Sequence, residues 1–201
     1  MTMHRIFLAI DFSESFTRQI GEYQQAIGPS FAGCRLSWVD PRIFHLTLHF
    51  FGDIDDSGIA LIRDRFSAIA GSIAPPSFKV SGLSYLPGAA SPKVLCLNLA
   101  MEPAGALAPL VTEAKALAAG LGAMCDDRPW KAHLTLARIR EARVPPLAAV
   151  PSLAELPFPP RLEYSPESIE LKESFLSPRG PRHATLHSFA FAQTGAEVRL
   201  P

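Results

Sequence analysis

The sequence predicts an α+β protein with antiparallel sheets, arranged as two similar lobes that share a cleft, and three observations carry that expectation. Several strand-like segments are joined by connections too short for a parallel crossover, notably Leu83 to Val94 and Phe175 to His183, so they read as hairpins. Three amphipathic helical periods are interleaved with the strands. One segment occurs twice, close to half the chain apart: Trp38-Val-Asp-Pro-Arg-Ile-Phe-His45-Leu-Thr-Leu and Asp126-Asp-Arg-Pro-Trp-Lys-Ala-His133-Leu-Thr-Leu. Each copy follows a helix, and each has a proline four positions before its histidine. A duplication of this kind predicts two lobes that each lend one strand to a common site.

The strands are expected at 5–10, 43–51, 78–83, 94–99, 132–139, 169–175 and 185–191, where β-branched and aromatic residues cluster between turn residues. The first helix follows a Ser13 cap and carries Phe16, Ile20, Tyr23 and Ile27 on one face. The second follows Asp55, Asp56 and Ser57 and carries Ile59, Ile62, Phe66 and Ile69. The third runs from Leu107 through Leu110, Val111, Ala114, Leu117 and Ala118 to Leu121, and Gly120 and Gly122 mark its end. The proline-rich stretch from Pro145 to Pro160 excludes a long helix or a central strand and predicts a surface excursion with one helical turn near Leu153.

Composition narrows the function. With 201 residues, 48% hydrophobic and 19% charged, the chain suits one folded domain of residues 1–201, and its size needs no covalent staple. Nineteen basic residues balance nineteen acidic ones, which argues against a protein that grips long nucleic acid through many phosphates. A ligand with a few phosphates fits. Cys34, Cys96 and Cys125 are odd in number, scattered and without a C-x-x-C pair, so the expectation is buried thiols in a reducing compartment rather than disulfides or a zinc knuckle. The apolar run Ile6 to Ile10 is too short for a signal peptide or a membrane span, which predicts a cytoplasmic protein without a membrane partner. A monomer is expected.

The repeated tetrapeptide carries the chemistry. On a strand, side chains alternate, so His45, Thr47 and His49 share one face while Leu46, Leu48 and Phe50 share the other. His133 and Thr135 share a face in the same way. Two such strands brought face to face put two imidazoles and two hydroxyls around one small volume, which suits hydrolysis of a phosphodiester. One histidine takes a proton from water, the other gives one to the leaving alkoxide, and the threonines donate to the non-bridging oxygens. No cofactor and no metal is required. Strict alternation would turn Arg138 onto the leucine face, so it joins the site only if a bulge re-aims it; Lys131 has the right parity.

Blander or rival readings exist for each feature. A single His-x-Thr strand is an ordinary half-buried strand, and the matching of two copies is what tips the balance toward catalysis. His45 and His49 with His133 would make a three-histidine zinc set, though no carboxylate supports it and Ala137 stands where a second His49 would be. His183 and His187 share parity on the last strand. Trp38 and Trp130 precede the two motifs and are either core residues or platforms for a base. Arg179 and Arg182 lie at a hairpin tip, as solubilising charges or phosphate contacts.

The chain resembles the two-histidine phosphoesterase superfamily, in particular its RNA 2′,3′-cyclic phosphodiesterase branch, also called the 2′-5′ RNA ligase family. The segments that carry the resemblance are Arg5-Ile-Phe-Leu-Ala-Ile-Asp11, His45-Leu-Thr-Leu-His-Phe-Phe-Gly52, Arg128-Pro-Trp-Lys-Ala-His133-Leu-Thr-Leu-Ala-Arg138 and Leu171-Lys-Glu-Ser-Phe-Leu-Ser-Pro-Arg-Gly180. The resemblance implies a bilobal α+β fold, two antiparallel sheets lining a central cleft with helices outside, and metal-independent opening of a terminal 2′,3′-cyclic phosphate to a 2′-phosphomonoester. It implies His45 as the general acid for the leaving O3′, His133 as the general base, and Thr47, Thr135 and Arg138 as substrate-binding residues. The implied partner is an RNA 3′ end or a small nucleotide bearing a cyclic phosphate. Alternatives in the same frame are another cyclic or 2′-5′ linked nucleotide, or an RNA-end-binding or 2′-5′ ligating protein with little turnover. Two departures stand out: Ala132 replaces the family's usual proline, and His183 replaces its usual tyrosine in the last hairpin.

Overall fold

A computed structural model of the chain describes residues 2–123, 128–139, 150–177 and 180–193. In chain order the strands and helices are β1 (His4–Asp11), α1 (Glu14–Ile27), β2 (Leu36–Trp38), β3 (His45–Ile54), α2 (Asp56–Ala70), β4 (Ser77–Leu86), β5 (Val94–Glu102), α3 (Ala108–Gly120), β6 (His133–Ile139), β7 (Glu163–Tyr164), β8 (Ser168–Ser177) and β9 (Gly180–Ala190). The expected Ser13 cap forms, and of Asp55, Asp56 and Ser57 it is Asp55 that caps α2. The Ser13 hydroxyl accepts from the Phe16 amide at 3.3 Å, and the Asp55 carboxylate accepts from Gly58 at 2.8 Å. Helix α3 has no side-chain cap and begins instead with proline in its first turn. A 3-10 turn at Leu153–Glu155 supplies the helical turn expected there; Pro145, Pro146, Cys125 and Arg179 lie outside the described residues.

All strand pairs are antiparallel, and they form one sheet in the order β7-β4-β5-β6-β3-β1-β8-β9, with β2 also paired to β6. The two lobes expected from the repeat are the two halves of this larger sheet, so the motif strands lie side by side in it and not face to face. They meet at a single bridge, Leu46 opposite Leu134, which are equivalent residues of the two copies. The pseudo-two-fold relation therefore runs through that bridge. Beyond it the strands part, because β2 takes the same edge of β6: Val39 donates to the Leu136 carbonyl at 2.9 Å and Trp38 pairs with Ala137.

One face of the sheet carries the core. Ile6, Leu8 and Ile10 of β1, Leu46 of β3, Leu95, Leu97 and Leu99 of β5, Leu134 of β6 and Ile169 and Leu171 of β8 are buried together with Phe16, Ile20, Ile62, Phe66, Leu110 and Ala114 of the three helices. The apolar helix faces read from the sequence are thus the ones buried here, and burial of each large side chain contributes about 1.5–3 kcal/mol. The opposite face carries the alternating polar residues. Helix α1 reaches the first motif closely: a Cβ on Gly21 would stand 2.9 Å from Cγ of Pro41, so the proline of the repeat and the helix can touch only across a glycine.

Gln24 of α1 is buried, and its amide donates to the carbonyls of Val39 and Leu136 at 2.9 Å each. It ties the helix to the point where β6 changes neighbours. Replacing Gln24 with alanine removes both bonds and leaves buried carbonyl capacity unfilled. We expect a loss of about 1–3 kcal/mol in urea-unfolding stability, and a loss below about 0.5 kcal/mol would show that the clamp is not needed.

Candidate active site

Each motif histidine is held by its own backbone. His45 Nδ1 lies 2.8 Å from the Ile43 carbonyl, and His133 Nδ1 lies 2.8 Å from the Lys131 carbonyl. A carbonyl only accepts, so Nδ1–H is the donor in both rings and Nε2 is the nitrogen left for chemistry. In the first copy the carbonyl is placed by a 3-10 turn, Pro41–Ile43, capped by Asp40. In the second, the Trp130 indole N–H donates to the Thr47 carbonyl at 3.0 Å, tying the approach to motif two onto the strand of motif one. Trp130 therefore acts as a clamp between the copies. Trp38 packs edge-on against Phe31 at 5.6 Å.

The bridge at Leu46 and Leu134 fixes how the copies meet. In an antiparallel pair the neighbours on either side also face one another, which sets His45 beside Thr135 and Thr47 beside His133. The two histidines are then diagonal on one face, with Cα atoms about 7–8 Å apart, close enough for both rings to reach one phosphate. His45, Thr47, His133 and Thr135 are all half-buried, flanked by fully buried leucines.

Both motif strands break alternation at the same place. Along β6, Thr135 pairs with Cys96 and Ala137 with Leu95, so Leu136 is an extra, bulged residue. Along β3, Thr47 pairs with Ala9 and His49 with Leu8, so Leu48 is bulged in the same way. The consequence for Arg138 is decisive: it lies on the face of His133 and Thr135, exposed, and not on the leucine face that simple alternation assigns it. The same shift corrects the expectation for His49 and Phe50. His49 is buried on the far face against Phe51, ring centroids 4.9 Å apart, whereas Phe50 is exposed on the His45 side and packs on Phe7 at 5.5 Å. The His45, His49 and His133 zinc set is therefore not assembled, and no cluster of metal-ligating side chains exists among the described residues.

Another bulge, at Leu186 of β9, separates His183 from His187. His187 turns to the core side against Phe189. His183 turns to the site, where it forms a three-ring cluster with Phe7 at 4.9 Å and His45 at 5.3 Å, edge to face with both; Phe7 and His45 are 5.1 Å apart. The Nδ1 atom of His183 is buried without a hydrogen-bond partner among the described residues. Asp11, directly opposite His45 in the ladder, binds the Nζ of Lys172, a buried lysine on the same face. Sequence reasoning missed Phe7, Asp11 and Lys172 in this site, because their parity means nothing until β1 is known to lie between β3 and β8.

Charges here act on His45 from several strands. Burial holds its imidazole below the ordinary value, the Lys172 and Arg138 charges push the same way, and the Ile43 carbonyl and Asp11 oppose them. Arg138 is thus electrostatically part of the site. His183 is pushed down to about 4, chiefly by burial and then by the charges of His45 and Lys172. Opposite Thr135, Cys96 is buried and its thiol is pushed up to about 12 by burial, which makes it a neutral wall.

Comparisons with known proteins place the chain in a family. The profile of the LigT-like phosphoesterase family matches residues 10–96, which include the first motif. The RNA 2′,3′-cyclic phosphodiesterase of Aeropyrum pernix is 30% identical over 165 residues, covering 81% of this chain and 90% of that protein, and so includes both halves. The chain belongs to the LigT-like two-histidine phosphoesterase family. The RNA 2′,3′-cyclic phosphodiesterase of Archaeoglobus fulgidus is similar over more of its length, 26% identical over 193 residues and covering 92% of this chain and 99% of that one. A crystal structure from Thermus thermophilus superposes with a TM-score of 0.73 at 28% identity, covering 93% of this chain and 97% of that chain.

The depressed His183 gives a pH signature. Its value is about 4 in the folded chain against 6.5 as the ordinary reference, so between these pH values the unfolded chain binds a proton that the folded one does not. Stability therefore falls as pH drops from about 6.5 toward 4. Replacing His183 with phenylalanine should remove part of that fall, read from urea midpoints at about pH 7 and about pH 4.5; an identical fall in the variant would contradict a neutral His183.

Proposed function

We propose that this chain opens a terminal 2′,3′-cyclic phosphate, on an RNA 3′ end or a small nucleotide, to a 2′-phosphomonoester without a metal ion. The observation that carries the proposal is the matched pair of imidazoles, each with Nδ1 fixed by the carbonyl two residues back, on strands whose Leu46–Leu134 bridge sets each histidine opposite the other copy's threonine. His133 Nε2 takes a proton from water as the oxygen attacks phosphorus. The P–O3′ bond breaks, and His45 Nε2 gives its proton to the departing O3′. The two rings end with protonation states exchanged, and proton transfer through solvent resets them. Thr47 and Thr135 donate to the non-bridging oxygens, and Arg138 offsets the charge that builds on them. The cyclic phosphodiesterase activity of the relatives supports the substrate class.

In the free protein, burial favours the neutral ring of His45. The negative charge of a bound phosphate acts in the opposite direction, so protonation of His45 is coupled to substrate binding. The same observation favours a second assignment, in which His45 is the base and His133 the acid. A cyclic substrate with sulfur at the 3′ position separates them, because a thiolate leaves without a proton. Loss of the acid is then largely rescued, and loss of the base is not.

With an oligoribonucleotide 2′,3′-cyclic phosphate in excess EDTA, we expect turnover in the unaltered protein. His45→Ala and His133→Ala should each lower kcat by about a hundred- to ten-thousand-fold. Full activity in either variant, or abolition by EDTA with recovery on adding zinc, would falsify the proposal. Arg138→Ala should cost about ten- to a hundred-fold in kcat/KM, the worth of one charge-assisted contact.

A further inference from the structure

Lys172 and Asp11 have no place in the acid–base scheme, yet they sit beside His45. The Lys172 side chain is 11% exposed and that of Asp11 is 43% exposed. An ammonium this buried is tolerated only with a partner, and among the described residues Asp11 is its ion-pair partner. In the ladder Lys172 stands opposite Phe7, four residues from Asp11, so its stem runs along β1 past Ala9 to reach the carboxylate. Ala9, with one methyl on this face, leaves it room. The Asp11 backbone is itself anchored, since the Tyr164 hydroxyl donates to its carbonyl at 3.0 Å.

The pair lies on the site face and not in the core. Asp11 is opposite His45, and Phe7, which Lys172 faces, packs on the His45 ring. The other charged residues of β8 are accounted for elsewhere. Glu170 accepts from Ser168 and Ser188 at 2.6 and 2.9 Å, and Glu173 binds His4 at 2.8 Å on the core side. The groups that face His45 are thus Asp11 from β1, Lys172 from β8, His183 from β9, and Arg138 and the diagonal His133 from β6.

We propose that Asp11 and Lys172 are positioning residues for His45, a compensated ion pair on the cleft floor whose balance sets how readily the ring gives up its proton. Asp11 favours the protonated ring and Lys172 opposes it. With both present the effects largely cancel, and removal of either exposes the other. The role in catalysis rests on His45 as a proton-transfer residue; the electrostatic coupling itself does not.

The test is NMR titration of the His45 imidazole in full-length protein, with the signal assigned by its loss in His45→Gln. Asp11→Asn should move the His45 midpoint down by about one unit and Lys172→Met should move it up by about one unit. The double variant should return close to the unaltered protein. Lys172→Arg keeps the charge and should titrate like the parent, which covers the case in which Lys172→Met does not fold. A structural role alone gives no opposite-signed shifts. Shifts of the same sign, or no shift in folded Asp11→Asn, overturn the proposal. If the midpoints move as expected while the pH profile of kcat/KM does not follow, the ion pair stands and His45 as a proton-transfer residue falls.

Discussion

The rest of the site depends on one backbone bridge, between Leu46 and Leu134. Because the bridged residues are equivalent members of the two copies, antiparallel pairing makes every neighbour relation occur twice, His45 to Thr135 and His133 to Thr47. A slip of one residue would turn the motif histidines and threonines into the core and the leucines into the cleft. The buried leucines on both sides of the bridge are what resist that slip. Core packing thus enforces the geometry of the site: the same residues that hold the halves together set the spacing of the two imidazoles.

The matched bulges do the next part. At Leu48 and Leu136 each strand shifts out of phase with simple alternation, and the position two beyond each bulge faces the cleft. On one copy that position is Phe50 and on the other it is Arg138, so a symmetric frame carries an aromatic surface at one end and a cation at the other. The carbonyl of the bulged Leu136 is also used, since Val39 and Gln24 both donate to it.

Much of this was legible in the sequence. The helices, their apolar faces and the Ser13 and Asp55 caps follow from periodicity and turn chemistry, and the strands from residue type. His45, Thr47, His133 and Thr135 sharing a face follows from alternation within each motif. The sequence could not locate the bulges, because a bulge leaves no mark beyond two buried residues in succession, and Leu48-His49 and Leu136-Ala137 are ambiguous on that score. Parity alone places His49, Phe50 and the His183 and His187 pair wrongly for this one reason, and Arg138 reaches the site face through the bulge that its place there required. Asp11, Lys172 and Phe7 were missed because their roles come from which strands lie side by side, a long-range fact that local pattern does not contain.

The central claim is that the two motifs form one site around one phosphate. The most direct measurement is titration of the protein, labelled with nitrogen-15 at histidine, with a nucleoside 2′-phosphate, following the Nε2 signals of His45 and His133. The account predicts that both signals move together along a single saturation curve with one Kd. Movement of only one, or two curves with separate Kd values, would contradict it.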